Sequence, residues 1–136
     1  MFSVGVRQEG RGTVLVLRGE LDFDSAVQVD EAGRRGVEAA AGAAGPVVVD
    51  LAALTFCDSS GISALLRLHR HASARGRPLE LAAVPPAVQR LFALTGLGQI
   101  FTVRTDAHEA LAAGPVRPDT APGAGAPARQ NRKESA

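Results

Sequence analysis

The stretch that most constrains the fold of this chain is the apolar run VVVDL at residues 47–51. Gly45 and Pro46 precede it, and a short β-branched run bounded by turn signals is typical of a strand buried on both faces. Strands of this kind occur in sheets whose faces are covered by helices. We therefore expect an α/β protein with residues 47–51 in a central strand.

The segments around this run supply the remaining predicted elements. Alternating and denser apolar residues predict two strands joined as a hairpin by the polar QEGRG, and apolar residues at helical spacing predict the helices. In chain order, these are strands at residues 2–6 and 13–17, a helix capped by Asp24 and Ser25 and running to about Ala41, the central strand, a helix from Ile62 to a stop at Gly76, a strand at residues 78–84, a helix after Pro85 and Pro86, a strand at residues 99–103 and a small last helix. This order predicts a small mixed β-sheet of four to five strands packed with about four helices.

The composition of the chain changes once, near Ala113. The 136 residues are 46% hydrophobic, which is enough for one independent core. Beyond Ala113 the sequence is rich in Pro, Gly and Ala and has almost no large apolar side chains. We expect one domain over residues 1–113 and a disordered tail over residues 114–136.

Charge and apolar run length restrict the partners and the location of the protein. The net charge of +1 supplies no strong field for nucleic acid or an anionic membrane. Cys57 is the only cysteine, which fits a reducing cytoplasm, and no apolar run has the length of a signal peptide or a membrane span. We expect a cytoplasmic protein that binds neither nucleic acid nor a membrane.

The titratable residues offer little for catalysis. His69 and His71 are two apart on a predicted helix and so point to different faces, which makes a poor metal site. The only lysine is Lys133, so no Walker-type phosphate loop is possible. Cys57 ends an apolar strand without a basic neighbour, and a small hydrophobe of the core is the better interpretation. We expect no catalytic residue, no metal and no cofactor.

The sequence FCDSSG at residues 56–61 joins the central strand to the second helix. Asp or Ser at such a junction commonly caps the helix by accepting a hydrogen bond from a free backbone N–H. One side chain is enough for that purpose, and Gly61 in the first turn costs about 1 kcal/mol relative to alanine. The glycine expected two residues before a serine nucleophile in GxSxG is absent, which argues against a hydrolase.

Three segments in sequence carry a family resemblance. GELD at residues 19–22, the apolar strand with DSSG and its helix, and PAVQRLF with TGL at residues 86–97 resemble the STAS domain of bacterial anti-sigma factor antagonists. The resemblance implies a non-enzymatic switch that binds an anti-sigma factor and thereby frees a sigma factor. It further implies that this anti-sigma factor is a serine kinase of the histidine-kinase-like ATPase fold, that it inactivates the antagonist by phosphorylating Ser59, and that a PP2C-type phosphatase reverses the reaction.

The same resemblance implies a partner surface around this turn, with the GELD aspartate beside it. Its predicted residues are Asp22, Asp58, Ser59, Ser60, Gly61, Ser63 and Arg67. A phosphate on Ser59 is expected to find N–H groups at the start of the second helix. Cys57 departs from the family pattern, in which a larger apolar residue such as Met is usual. An alternative stays open, namely a constitutive STAS subunit of a larger assembly, stressosome-like or lipid-transporting, without a phosphorylation switch.

Overall fold

The fold is a mixed five-stranded sheet with helices on both faces, seen in a computed structural model that describes residues 1–10, 12–38 and 45–113. The predicted fold class is confirmed. The elements are β1 (Phe2–Glu9), β2 (Gly12–Leu21), α1 (Ala26–Glu38), β3 (Val47–Cys57), α2 (Ser59–Ala74), β4 (Leu79–Ala82), α3 (Pro86–Thr95), a 3-10 turn (Leu97–Gln99), β5 (Thr102–Arg104) and α4 (Ala107–Ala113).

The strands follow one another across the sheet in chain order, β1-β2-β3-β4-β5. β1 is antiparallel to β2, and the other neighbours are parallel. The predicted central strand is therefore β3, in which Val47, Val48 and Val49 are fully buried. Since β2 and β3 are parallel, their carboxyl ends lie at one edge of the sheet, where Leu21 is the register partner of Cys57.

The two faces of the sheet are covered unequally. α1, α2 and α3 cover one face and form the main core, to which Leu15, Leu65 and Phe92 belong. α4 covers the other face, where Ala107 and Ala110 meet a smaller cluster from β2, β3 and β4. The DSSG turn lies at the edge of the larger layer, where β3 passes into α2.

Several boundaries differ from the sequence prediction, since β1, β2 and β3 run to Glu9, Leu21 and Cys57 rather than to residues 6, 17 and 51. The last strand begins at Thr102, because a left-handed Gly96 (φ 76°) leads first into the 3-10 turn. The helix predicted from Asp24 and Ser25 begins at Ala26. The end predicted for it near Ala41 and the predicted tail at residues 114–136 lie outside the described residues.

The cap predicted for α1 is also corrected. In the turn before α1, the Oδ1 atom of the Asp22 carboxylate accepts the Ser25 N–H at 3.1 Å. Ser25 turns its hydroxyl back to the end of β2, where it donates to the Glu20 carbonyl at 2.8 Å. The reason is that residues 23–25 form a turn ahead of the helix, and the Asp22 carboxylate and the Ser25 hydroxyl are used in this turn.

Arg77 is a buried cation that holds the opposite end of the sheet together. Its guanidinium donates to the Gly45 carbonyl (3.0 Å), the Val37 carbonyl (3.0 Å) and the Thr13 hydroxyl (2.8 Å). One side chain thus joins the end of α1, the approach to β3 and the start of β2. These contacts anchor the framework on which the site is built.

Candidate functional site

Asp58 is the N-cap residue of α2. Its Oδ1 accepts hydrogen bonds from the backbone N–H groups of Ser60 (2.9 Å) and Gly61 (3.2 Å). Its carbonyl oxygen accepts the first helical bond from the Ile62 N–H at 3.0 Å. One carboxylate oxygen therefore satisfies two of the N–H groups that a helix start leaves without partners.

Gly61 allows the first turn of α2 to lie directly against the ends of β2 and β3. A Cβ atom at this position would come within 2.7 Å of the Cys57 Sγ, 2.8 Å of the Leu21 Cγ and 3.0 Å of the Leu21 carbonyl oxygen. Gly61 is itself buried. Its part in the site is this close approach, since it presents no side chain to a partner.

Ser59 is the first residue of α2 and is exposed, whereas Ser60 is half-buried. The structure limits the expectation that a phosphate on Ser59 would find N–H groups at the helix start. Those of Ser60 and Gly61 are already bound to the Asp58 carboxylate. A phosphate on Ser59 would have to compete with Asp58 for them or remain at the surface.

Asp22 lies at the same edge of the sheet as the DSSG turn. The preceding residue, Leu21, accepts the Asp58 N–H at its carbonyl oxygen at 3.3 Å, which brings the ends of β2 and β3 together. The Asp22 N–H donates to the Ser25 hydroxyl at 2.8 Å, and the Asp22 Oδ1 lies 3.1 Å from that hydroxyl, whose proton is directed to the Glu20 carbonyl. Asp22 therefore shapes the turn into α1 while adding negative charge beside the site.

Ser63 and Arg67 lie further along the exposed side of α2. The Arg67 guanidinium binds Asp30 of α1 through two hydrogen bonds, Nε to Oδ1 at 3.0 Å and Nη2 to Oδ2 at 3.1 Å. Both residues of this ion pair line a hollow of about 420 Å³ between α1 and α2. The hollow is lined by Phe23, Ala26, Val27, Asp30, Ser60, Ser63 and Arg67.

Sequence reasoning missed Phe23 and Val27. Phe23 is 80% exposed and Val27 is 54% exposed, and both line the hollow that contains Ser60 and Ser63. The available signal was a phenylalanine between two aspartates, Asp22 and Asp24, in a turn where no core could receive it.

Two side chains, Cys57 of β3 and His69 of α2, have pKa values that are shifted mainly by burial. Burial, reinforced by the neighbouring Asp58 charge, raises the pKa of the Cys57 thiol to about 11, so it stays protonated at neutral pH. Burial and then Arg70 lower the pKa of His69, whose ring packs edge-on against Phe101. In the part of the chain that the structure describes, no three His, Cys, Asp or Glu side chains are grouped as a metal site requires.

Within the described residues 1–10, 12–38 and 45–113, no helix combines the length and the apolar character that crossing a membrane requires.

Solved structures with known roles resemble this fold. An anti-sigma factor antagonist from Mycobacterium paratuberculosis is 26% identical, with a TM-score of 0.73 over 83% of this chain and 93% of that chain. The anti-sigma factor antagonist SpoIIAA in its unphosphorylated form is 25% identical, with a TM-score of 0.69 over 82% of this chain and 95% of that chain.

Two further structures are less than 25% identical to this chain and show a similarity of fold only. The Bacillus cell fate determinant SpoIIAA in its phosphorylated form is 24% identical, with a TM-score of 0.64 over 82% of this chain and 98% of that chain. A sulfate transporter family protein from Wolinella succinogenes is 16% identical, with a TM-score of 0.65 over 76% of this chain and 84% of that chain.

Residues 4–104 match the family described as "Mlab, STAS domain". Because this match covers most of the chain and the chain folds as a mixed five-stranded sheet, the chain belongs to the STAS domain family.

Proposed function

We propose that this protein is an anti-sigma factor antagonist that is switched off by phosphorylation of Ser59. It binds an anti-sigma factor, a serine kinase of the histidine-kinase-like ATPase fold, and so releases a sigma factor for transcription. A PP2C-type phosphatase restores the active form. The observation that carries the proposal is an exposed serine directly after the α2 cap, in a STAS domain similar to two anti-sigma factor antagonists.

The local hydrogen bonds support Ser59 rather than Ser60 as the phosphorylated residue. Ser59 is exposed at the helix start, where a kinase can reach its hydroxyl. Ser60 is half-buried and its N–H is bound to Asp58. A kinase acting on Ser60 would have to reach a half-buried side chain, whereas the side chain of Ser59 is exposed.

The charge of the phosphate supplies the switch. A phosphoserine adds about −1.5 to −2 charges, and the site already contains the carboxylates of Asp58 and Asp22. Because Asp58 occupies two N–H groups of the helix start, the added charge stays at the surface that meets the partner. Like-charge or unpaired contacts in an interface cost several kcal/mol, and about 3 kcal/mol corresponds to more than a hundredfold loss of affinity.

The test is incubation of the full chain with candidate anti-sigma factor kinases and ATP, followed by mass measurement of the intact protein and peptide mapping. We expect one phosphate, its loss in Ser59→Ala, and its retention in Ser60→Ala. Ser59→Asp should bind the kinase about a hundredfold more weakly than the unmodified protein. A phosphate mapped to Ser60, or a Ser59→Asp protein that binds as tightly as the unmodified one, would contradict the assignment.

A second candidate function is a constitutive STAS subunit of a larger assembly, of the stressosome-like or lipid-transport kind. The specific observation in its favour is the fold shared with the sulfate transporter family protein, together with the family description that matches residues 4–104. This function predicts no kinase-dependent mass change and stable co-purification with a membrane-associated or scaffold complex. The mass experiment therefore separates the two functions.

A further inference from the structure

Two hollows lie in line along the contact between α1 and α2. The first is the one beside Ser60 and Phe23, and the second, of about 290 Å³, is lined by Asp30, Arg34, Arg67, Leu68 and His71. They share Arg67 and Asp30, whose ion pair crosses between the helices at the point where the hollows meet. We call the two hollows together the seam groove.

The floor of the seam groove is closely packed. A Cβ atom on Gly33 of α1 would come within 2.6 Å of the Leu68 Cδ1 of α2, so the helices are in direct contact below the groove. Ala26 and Leu68, which line the groove, are themselves buried. The groove is therefore a shallow channel on the surface, suited to a rod-shaped segment lying along it rather than to an enclosed small molecule.

The two ends of the seam groove differ in character. At the DSSG end, Phe23 in the turn before α1 and Val27 in its first turn both expose apolar surface. At the other end, Arg34 is exposed and lies with His71, which contacts Glu38 at 3.0 Å. Val27 and Arg34 are seven residues apart on α1, which is two turns or about 10 Å along the helix.

A complementary segment must therefore present apolar and acidic side chains about 10 Å apart on one face. Positions i and i+7 of an amphipathic helix have this separation. The C-terminal tail of this chain does not fit the description. Its charged residues are predominantly basic, and it is rich in Pro and Gly, which disfavour a helix.

We propose that the seam groove receives an acidic amphipathic helix of the anti-sigma factor kinase. This proposal rests on the proposed function and adds how the kinase is recognised. Apolar residues of its helix cover Phe23 and Val27, and an acidic residue pairs with Arg34. Because Ser60 and Ser63 line the same hollow as Phe23, the bound helix ends beside the DSSG turn, next to the phosphate acceptor.

Photo-crosslinking of the full chain identifies the occupant. The Val27→benzoylphenylalanine variant is mixed with the kinase that modifies Ser59 and irradiated, and the crosslinked residues are mapped by mass spectrometry. Leu94→benzoylphenylalanine is the control, because Leu94 on α3 is 85% exposed and lines neither hollow. We expect position 27 alone to crosslink to one helix of the kinase with an acidic residue within two turns. A crosslink to a second copy of this chain, or to a basic or non-helical segment, would overturn the proposal.

Affinity measurements with the same kinase test the charge and the apolar contact separately. Arg34→Glu and Phe23→Ser should each weaken binding about tenfold or more, with unchanged circular dichroism. Arg90→Glu, at an exposed arginine of α3, should change the affinity for the kinase less than about twofold. Equal effects of Arg34→Glu and Arg90→Glu, with Ser59 still phosphorylated, would overturn the groove and leave the proposed function standing. A wild-type chain that neither binds nor is phosphorylated by any candidate kinase would overturn both.

Discussion

Gly61 shows how a single residue makes the site possible. In an ordinary helix, replacing glycine with alanine stabilises the helix by about 1 kcal/mol. Here the added methyl group would meet Cys57 and Leu21, and one of its contacts is the Leu21 carbonyl oxygen, which no side-chain rotation can move. The close approach therefore outweighs helix propensity.

We predict that Gly61→Ala destabilises the protein by about 1–3 kcal/mol in urea unfolding, as overpacking does. Gly98→Ala is the matched control, since no atom lies within 4 Å of a Cβ built at Gly98. Its stability should change by less than about 0.5 kcal/mol. Similar losses in both variants would show that the contacts of Gly61 are not the cause.

Asp58 combines a structural role with a charge beside the phosphate acceptor. Asp58→Ala should cost about 1 kcal/mol because the N–H groups of Ser60 and Gly61 lose their acceptor. Asp58→Asn keeps a capping oxygen and should cost only a few tenths of this value. Chemical denaturation of both variants checks the expectation, and an Asn variant as unstable as the Ala variant would contradict it. Comparing the phosphorylation of the Asn variant with wild type then isolates the effect of the charge.

At the scale of the elements, the shortest edge strand is held by a buried ion pair. Glu80 of β4 is fully buried, and its Oε1 accepts the Arg104 Nε of β5 at 3.0 Å. Burial raises the pKa of Glu80, while the hydrogen bond and charge of Arg104 partly oppose that rise. Because the folded pKa is above the unfolded value, the contribution of this carboxyl to stability is full below the unfolded pKa of about 4.3 and is lost as the pH rises through the folded pKa.

Removing Arg104 should enlarge this pH dependence. Arg104→Met leaves the Glu80 carboxylate buried without its cation, a loss that costs about 3–5 kcal/mol when the carboxylate is charged. The cost should be greatest near pH 8 and smaller near pH 5, where Glu80 can take up a proton. Urea unfolding at the two pH values measures it, with Arg90→Met as the control for loss of a surface arginine. A cost that is the same at both pH values would mean that Glu80 is not the group responsible.

The elements could be predicted from the sequence because each has a local pattern. The apolar run of β3, the alternation in β1 and the helical spacing in α2 are visible within one segment. Arg77 could not be predicted in the same way, since its acceptors at Val37 and Thr13 are 40 and 64 residues away in the chain. The start of β5 was missed because Gly96 and the 3-10 turn shift it by three residues from the predicted Gln99 to Thr102.

As with the fold, the local features of the site could be predicted from the sequence and the long-range contacts could not. The cap at Asp58 follows from an acidic residue before a helix, but the reason for Gly61 depends on Leu21, 40 residues earlier. Phe23 and Val27 join the site only because α1 packs beside α2, an arrangement that depends on Gly33 facing Leu68. Contacts of this kind are set by tertiary packing and leave no local signature.

At the scale of the whole molecule, the domain boundary near Ala113 is still a prediction from composition. A chain truncated after Ala113 should keep its melting temperature within a few degrees, because a segment without large apolar side chains contributes little burial. It should also bind the kinase with unchanged affinity. Thermal unfolding and binding of the full and truncated chains provide the test, and a large drop in melting temperature would show that the tail packs on the domain.

The location of Ser59 also predicts how the whole molecule responds to the switch. Ser59 is exposed at the edge of the sheet, while the main core, with Leu15, Leu65 and Phe92, lies between the sheet and the helices. A charge added at Ser59 therefore acts on the partner surface without reaching the packing of the core. The hydrogen bonds that the Asp58 carboxylate accepts from the first turn of α2 are next to Ser59 and can respond to the charge.

We therefore predict that Ser59→Asp keeps the wild-type melting temperature within a few degrees, which for a domain of this size corresponds to less than about 1 kcal/mol. Amide hydrogen exchange should change only in the first turn of α2, with β3 and β4 as protected as in the wild type. Ser73→Asp, at an exposed serine near the end of the same helix, is the control for adding a carboxylate to α2. Loss of protection in β3 or β4 in the Ser59→Asp protein alone would mean that the switch refolds the domain, because a purely electrostatic change at the surface leaves the hydrogen bonds of the central sheet intact.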